Sequence, residues 1–233
     1  MSRSRHLVFW GLLAGLVLLA KLGVWVWAQG IAIPAETPEV PPPELSFAAV
    51  AAKLQPAVAL IEVFEDGKYL QRVSVGVGFA VDTEGTIVTN YHVIAPGEYI
   101  RVHMVQQGKV YSAVRAETDA RLDIALLVID AETEPVVWGK RLQLESGDQV
   151  GFLATDGLTY RAEPGKVITA SGYKDGQWFI HTDVAATLGH SGSPLFTMDG
   201  KVVGMISFII PGTSGTAVSI AVAADDIEEV MKR

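Results

Sequence analysis

The sequence predicts an all-β fold, a sandwich or barrel, closed by a C-terminal helix and preceded by an N-terminal transmembrane helix. Three observations predict it. Short runs rich in Val, Ile and aromatic residues recur at regular spacing, and Gly, Asp, Pro and Glu separate them. The last segment, "AADDIEEVMKR", has acidic residues first and basic residues last, as a helix dipole favours. The first 28 residues are strongly apolar.

The N-terminal segment predicts a membrane anchor over residues 1–28. Two arginines precede an apolar run, Leu7–Ala28, that only Lys21 interrupts, and as a helix this run would rise about 33 Å, enough to cross a bilayer. Glutamates follow the run, so the positive-inside rule predicts a single-pass protein of the inner membrane with its body on the periplasmic or extracytoplasmic side. The alternative is a cleaved signal peptide, with Leu7–Ala20 as its apolar region, which would give a secreted protein. We favour the anchor because the apolar stretch continues past Lys21.

A linker over residues 29–45 separates this segment from the body of the chain. Five prolines and three glutamates lie within residues 33–45, a composition that favours extended, solvated chain. A short helix should then begin at Ser46 as its N-cap and end before Pro56.

The body reads as two series of strands. The first contains "AVALIEVF", "RVSVGVGFAVD", "TIVTNYHVI", "YIRVHMV", "KVYSAVRAE" and "IALLVID", and the second runs from "QVGFLAT" to "TAVSIAVA". Within the second series "MDGK" joins two apolar runs and predicts a hairpin. No internal sequence repeat is evident between the two series.

Composition excludes several classes of function. The net charge of −8 argues against nucleic acid as a partner, because a phosphate-binding surface needs clustered Lys and Arg. The absence of cysteine excludes disulfides, thiolate nucleophiles and cysteine-based metal sites. We expect neither a cofactor nor a metal.

The segment "TLGHSGSPLF" (residues 187–196) is the candidate nucleophile loop. Ser191 lies in a glycine-flanked turn in which the amides of Gly189 and Ser191 could both point at one oxygen, as an oxyanion hole requires. Ser193 lacks that frame because it precedes Pro194, which has no N–H to donate. Taken alone, the "GHSGS" pattern is a weak signal, because Gly/Ser turns are common.

The base and its orienting acid are sought among the histidines and aspartates. His92 follows a strand and begins a turn, a place from which a side chain can enter a cleft. His103 is expected to face solvent from a strand, His181 stays a minor candidate, and His190 is poorly placed because adjacent side chains usually point apart. Asp123 directly precedes a buried strand, where a carboxylate needs a partner such as an imidazole N–H.

The neighbouring aspartates are less suitable as the orienting acid. Asp119 lies in the turn before Asp123 and Asp130 follows the strand, so we expect both to be solvated. The predicted catalytic residues are therefore His92, Asp123 and Ser191, in that order along the chain.

This order of residues in an all-β chain resembles the chymotrypsin-like serine proteases, and the local motifs resemble the HtrA/Deg branch. They are "VGVGFAVDTEGTIVTNYHVI", "RLDIALLVID", "IHTDVAATLGHSGSPLFTMDGKVVGMIS" and "SIAVAADDIEEV". The resemblance implies two six-stranded antiparallel β-barrels, at about 46–138 and 139–224, with a C-terminal helix at about 224–233. It also implies a serine endopeptidase that acts on misfolded or regulatory proteins through an acyl-enzyme. The family often forms trimers, which implies a homo-oligomer.

The resemblance also implies where substrate binds. Thr187 and Leu188 precede the oxyanion loop, and "GMISFII" looks like the strand that lines the pocket for the residue before the cut, with Ser207, Phe208 and Ile209. Ile209 and Ser219 stand where glycines are common in relatives with wide pockets. We therefore expect cleavage after small or medium aliphatic residues.

The sequence departs from the family pattern in three ways. The chain ends after the protease domain, so we expect no PDZ domain; "ATDGL" (residues 154–158) replaces "GNPFG"; and "GHSGSP" replaces "GNSGGP". These departures leave open whether the loop is competent at rest. The alternative function is a protease-fold binding or scaffold protein with little or no turnover.

Overall fold

The computed structural model describes residues 45–66, 71–211 and 217–233. The predicted membrane anchor and the linker up to residue 44 lie outside these residues. None of the helices in the described ranges combines the length and the hydropathy of a membrane-spanning segment.

Two closed β-barrels of six strands each form the body of the molecule, which confirms the predicted all-β class and barrel architecture. The strands of the first barrel are β1 Val58–Phe64, β2 Arg72–Ala80, β3 Thr86–Thr89, β4 Tyr99–Met104, β5 Lys109–Asp119 and β6 Ile124–Val128. Those of the second are β7 Gln149–Thr155, β8 Tyr160–Lys174, β9 Gln177–Thr182, β10 Pro194–Thr197, β11 Val202–Pro211 and β12 Ala217–Ala223. Neighbouring strands pair antiparallel in both barrels.

The two barrels share one strand connectivity. The first closes in the order β1-β2-β3-β6-β5-β4, and the second follows the same circuit as β7-β8-β9-β12-β11-β10. The repetition therefore lies in topology and not in the order of amino acids, since no sequence repeat is evident. Closure leaves neither barrel with an unpaired edge.

Three helices flank the barrels within the described residues: α1 Phe47–Leu54, α2 Tyr91–Ile94 and α3 Ala224–Val230. Short 3-10 turns span Gln55–Ala57, Val105–Gln107 and Arg141–Gln143. Ser46 caps α1 by accepting a hydrogen bond from the amide of Ala49, so the observed helix begins at the expected cap. Phe47 stacks on Phe196 of the second barrel with ring centroids 5.6 Å apart, which fixes the entry of the chain.

Burial explains why these short segments form strands. The pattern of β4 alternates half-buried and buried residues, as expected for one face turned to a core. Buried apolar side chains fill both barrels, among them Phe79 and Ile61 in the first and Phe152 and Met205 in the second. The hairpin predicted at "MDGK" joins β10 to β11, and Gly200 there has a φ of 82°.

Candidate active site

The end of β3 and the start of β6 bring His92 and Asp123 together. Thr89 pairs with Ala125 in the antiparallel register, so the residues that follow β3 lie beside those that precede β6. Asn90 caps the single turn of α2, which carries His92, and its side-chain amide donates to the carbonyl of Asp123 at 3.1 Å.

The His92 ring binds the Asp123 carboxylate through Nδ1. The nitrogen lies 3.0 Å from Oδ1 and 2.9 Å from Oδ2, and the main-chain amide of His92 donates to Oδ1 at 3.0 Å. An imidazole whose Nδ1–H donates to a carboxylate carries its lone pair on Nε2. That nitrogen has no hydrogen-bond partner among the described residues, so it is available as a base.

Asp123 is held by more than the histidine. Its φ of 55° is unusual for a residue with a side chain, and such strain persists only where surrounding contacts enforce it. Ser207 of β11 supplies one such contact, because its Oγ donates to Oδ2 of Asp123. A serine from the second barrel thus supports an acid from the first.

Two consecutive turns shape the nucleophile loop. The amide of His190 donates to the carbonyl of Thr187, and the amide of Ser193 donates to the carbonyl of His190, both at 3.1 Å. The third residue of each turn is a glycine with positive φ, 92° at Gly189 and 90° at Gly192. Positive φ at that position distinguishes type II turns from type I and requires glycine.

The loop leaves two amides without acceptors. Among the described residues, no hydrogen bond uses the N–H of Gly189 or that of Ser191. Ser191 Oγ donates to the carbonyl of Ser207 at 3.1 Å, and no hydrogen bond joins it to His92. Catalytic contacts are often longer in proteins without substrate and tighten when substrate binds.

Close contact with the first barrel holds the loop in place. The amide of Val77 donates to the carbonyl of Ser191 at 2.8 Å. A β-carbon added at Gly192 would lie 1.8 Å from the carbonyl oxygen of Val77, so only glycine fits there. Ser193 is fully buried and its hydroxyl has no partner within the described part of the chain, so it is sealed off while Ser191 is half-buried.

His190 faces its own loop and the wall of the second barrel. Its Nδ1 accepts the amide of Thr187 at 3.1 Å, and its ring lies 4.9 Å from that of Phe152. Burial lowers the pKa of His190 below its ordinary value, Arg161 lowers it further, and Glu163 opposes them.

Two expectations about other titratable residues were wrong. Asp119 is not solvated: its side chain is only 13% exposed, because it accepts hydrogen bonds from the amides of Arg121 and Leu122 and pairs with Arg233 at 2.8 Å. His103 does not simply face solvent, since its Nε2 lies 2.7 Å from a carboxylate oxygen of Glu62. Asp130 is exposed, as expected.

The residues predicted to bind substrate divide into two groups. Thr187, Leu188, Phe208 and Ile209 are exposed at the surface near the loop. Ser207 and Ser219 are buried and their hydroxyls are engaged, the first with Asp123 and the second with the carbonyl of Val184 at 2.8 Å. Ile209 pairs directly with Ser219 across β11 and β12, so the two lie on one face of the sheet.

A cleft of about 640 Å³ opens beside His92 and Asp123. Residues from both barrels line it, including Tyr91, Tyr173, Phe179, His181, Phe208 and Ile210. His181 lines the same cleft as His92, whereas the sequence favoured a solvent-facing strand position for it and kept it as a minor candidate for the base. Within the described residues, no group of three His, Asp or Glu side chains could hold a metal ion.

Sequence reasoning missed two contributions to the site. It assigned Ser207 to substrate binding and overlooked its bond to Asp123, and it did not find the aromatic lining of the cleft. A serine between apolar residues in "MISFI" was the available signal for Ser207, because a buried hydroxyl needs a partner. The aromatic lining had no such signal, since it forms only when the two barrels meet.

The chain is similar in sequence to known serine proteases. Residues 76–205 match the family model of the trypsin-like peptidase domain. Serine protease HTRA1B of Danio rerio is 32% identical over 197 residues, which cover 79% of this chain and 40% of that protein. A probable periplasmic serine endoprotease DegP-like of Marinomonas sp. is 37% identical over 151 residues, 62% of this chain and 32% of that protein.

A human relative, serine protease HTRA4, matches with 32% identity over 198 residues, 79% of this chain and 40% of that protein. The chain thus spans 32% to 40% of the length of these curated relatives. The predicted resemblance to HtrA and Deg-like proteases is confirmed. The matched region holds His92, Asp123, Gly189 and Ser191, two barrels surround them, and the chain belongs to the trypsin-like peptidase family.

Proposed function

We propose that the chain is a serine endopeptidase in which His92, Asp123 and Ser191 form the catalytic triad. One observation carries the proposal: Nδ1 of His92 is hydrogen-bonded to Asp123, Nε2 has no partner among the residues that the structure describes, and the Ser191 loop is hydrogen-bonded to the first barrel through Val77. The arrangement supports a base of defined tautomer, and we infer that the half-buried hydroxyl of Ser191 comes within its reach when substrate binds.

The reaction proceeds in two halves. Nε2 of His92 takes the proton of Ser191 Oγ as that oxygen attacks the peptide carbonyl, and Asp123 stabilises the imidazolium that forms. The C–N bond then breaks, and His92 returns the proton to the leaving amine, which leaves an acyl-enzyme. Water, deprotonated by the same nitrogen, attacks the ester and releases the carboxylic acid and the free hydroxyl of Ser191.

The amides of Gly189 and Ser191 are the proposed oxyanion hole. Neither amide has an acceptor among the described residues. The positive φ of Gly189 belongs to a type II turn, which sets the orientation of the peptide that carries the Gly189 N–H. Donors of this kind contribute about 3 kcal/mol each to the transition state in comparable sites. We therefore propose that the loop forms the oxyanion hole before substrate binds, in spite of the unusual "GHSGSP" sequence.

Proteins and peptides are the proposed substrates, cut after small or medium aliphatic residues. Ile209 and Ser219 face each other across neighbouring strands and would narrow the pocket for the residue before the cut. Thr187, Leu188 and Phe208 complete the proposed binding surface with their side chains, and Ser207 with its main-chain carbonyl, because its hydroxyl is engaged by Asp123. Misfolded or regulatory proteins are the proposed natural substrates.

We place the enzyme outside the cytoplasm, tethered to the inner membrane by residues 1–28. The charge asymmetry of that segment supports the orientation. Two DegP-like relatives are described as probable periplasmic endoproteases, which agrees with it. A homo-oligomer, most simply a trimer, is proposed from the family resemblance alone.

Labelling by a fluorophosphonate tests the proposal directly, because the reagent reacts only with an activated serine. The full-length chain should be labelled and should cleave an unfolded protein, and Ser191→Ala should abolish both. Ser193→Ala is the matched control and should still be labelled. Labelling that survives Ser191→Ala but is lost in Ser193→Ala would overturn the assignment, and a folded wild type that is never labelled would favour the scaffold alternative.

A further inference from the structure

The side chain of His190 closes the turn in which it lies. Its Nδ1 accepts the amide of Thr187 at 3.1 Å, while its own amide donates to the carbonyl of Thr187 at 3.1 Å. The Thr187 hydroxyl lies 3.4 Å from the same ring nitrogen. Two hydrogen bonds therefore join the first and last residues of the turn in opposite directions.

Little else supports this turn. Leu188 is 99% exposed, and a β-carbon placed on Gly189 would meet no atom within 4 Å among the described residues. The Gly189 amide, the proposed oxyanion donor, thus depends on the ends of the turn for its orientation. One of its two closing bonds exists only if Nδ1 of His190 carries no proton.

The surroundings of His190 favour that unprotonated form. Phe152 of β7 covers one side of the ring, and the charged groups that face it from β8 are Arg161 and Glu163, paired with each other at 2.7 Å. Burial lowers the pKa of His190, Arg161 lowers it further, and Glu163 opposes them. His190 is therefore neutral at pH 7 with Nδ1 available.

We infer that His190 is a positioning residue for the oxyanion hole, and that protonation of its imidazole in acid releases the turn that orients Gly189. The inference rests on the proposed function, and adds to it a switch located in the loop itself. Protonation would place an N–H of the ring against the N–H of Thr187, and two donors cannot bond. The Thr187 hydroxyl, 3.4 Å from that nitrogen, could then accept only a long hydrogen bond, which does not hold the Thr187 amide.

The direction of the pH effect follows from the lowered pKa. A group with a depressed pKa in the folded state contributes its stabilising contact above its unfolded value, and loses the contact as the pH falls through the folded value. The loop is therefore intact at neutral pH and opens in acid, below the ordinary titration range of histidine.

Two substitutions separate the hydrogen bond from the packing. His190→Phe keeps an aromatic ring against Phe152 but removes the acceptor, and we expect kcat on a peptide ester to fall about 10- to 100-fold with KM little changed. His190→Asn places an acceptor oxygen near Nδ1, and we expect it to retain most of the activity at pH 7. Wild-type kcat in His190→Phe would overturn the inference.

The pH dependence of kcat/KM distinguishes the proposed switch from a purely structural role of His190, which would leave the acid side of the profile unchanged. His190 must be neutral for full activity in the wild type, so kcat/KM should show in acid an additional drop of about 10- to 100-fold, on top of the acid fall shared with His190→Asn, and His190→Asn should lack this additional drop. Arg161→Gln should move the His190 transition to higher pH, because it removes a repelling cation. Identical acid limbs in all three proteins would contradict the inference.

The hydrogen bond from Thr187 to His190 can also be measured in the wild type without an activity assay. Nitrogen-15 NMR of the imidazole should show the His190 proton on Nε2 at pH 7, and the Thr187 amide should exchange slowly until His190 titrates. This result is expected even if Ser191 proves unreactive, so failure of the proposed function and failure of this inference are distinguishable. A Thr187 amide that exchanges at the rate of a free amide at pH 7 would refute it.

Discussion

Individual hydrogen bonds decide what each candidate residue can do. His92 is suited to act as a base because its Nδ1–H donates to Asp123 and its Nε2 has no partner among the described residues. His190 is less suited because its Nδ1 accepts the amide of Thr187. The two serines of the loop differ in the same way. Ser191 is half-buried with a reachable hydroxyl, whereas Ser193 is sealed inside the loop.

Ser207 is expected to matter through Asp123. In Ser207→Ala the carboxylate loses a charge-assisted hydrogen bond, which is worth about 1.5–3 kcal/mol, and the imidazolium of the transition state becomes less well supported. We expect kcat to fall about tenfold or more, with KM little changed. Ser207→Thr keeps the hydroxyl and should recover most of the loss, and equal kcat values in Ser207→Ala and wild type would contradict this role.

At the scale of elements, strand alternation divides β11 between two surfaces. Phe208 and Ile210 line the cleft beside His92, and Ile209, which points the opposite way, pairs with Ser219. The β-bulge between Ile206 and Phe208 determines which side chains face which surface. One extra residue in β11 moves every side chain after it to the opposite face of the sheet. The register of β11 against β12 thus decides which side chains face the cleft and which face Ser219.

Ile209→Gly is expected to widen the preference at the residue before the cut. Removal of the side chain opposite Ser219 should raise the ratio of kcat/KM for Phe peptides over Val peptides about tenfold or more. Fluorogenic peptides that differ only at this position measure the ratio. Ile168→Gly carries a similar backbone cost in β8, where the side chain is exposed and does not line the cleft, and its Phe-to-Val ratio should match that of the wild type. A rise of the same size in Ile168→Gly would show that pocket width is not the cause.

At the scale of the molecule, the site exists only where the barrels meet. The first barrel contributes His92 and Asp123, the second contributes Ser191 and Ser207, and Val77 bonds directly to the nucleophile loop. Further contacts cross the junction: the side-chain amide of Gln177 donates to the carbonyl of Leu122 at 2.5 Å, and Arg233 pairs with Asp119. The hydrogen bonds that hold the two barrels together therefore also set the positions of the candidate site residues.

Gly192→Ala should disrupt this junction. The added carbon would meet the Val77 carbonyl at 1.8 Å and the residue would also be strained at a φ of 90°, so we expect a loss of several kcal/mol in the free energy of unfolding and loss of fluorophosphonate labelling. Gly147→Ala is the matched control, because its φ is 96° but no atom of the described ranges lies within 4 Å of the added carbon. It should cost about 1–2 kcal/mol and keep labelling. Equal losses in urea unfolding would show that strain, and not the contact between barrels, limits stability.

The sequence by itself determined the class of fold and the order of the candidate residues. Strand-forming runs, turn residues and the Ser46 cap act locally, so their consequences can be read from neighbours in the chain. The neighbours of Asp123 and Ser191 likewise identified an acid before a buried strand and a serine in a glycine turn. These features need no knowledge of distant contacts.

Only the tertiary structure decided what these residues touch. The bond from Ser207 to Asp123 spans 84 positions and that from Arg233 to Asp119 spans 114, and no local pattern specifies either contact. His190 and Thr187 are close in sequence, but the fold places Phe152 against the His190 ring and Arg161 near it. Burial and Arg161 lower the pKa of His190. Hydrogen bonds and pKa values depend on distance in space, and the closure of two barrels is what sets those distances.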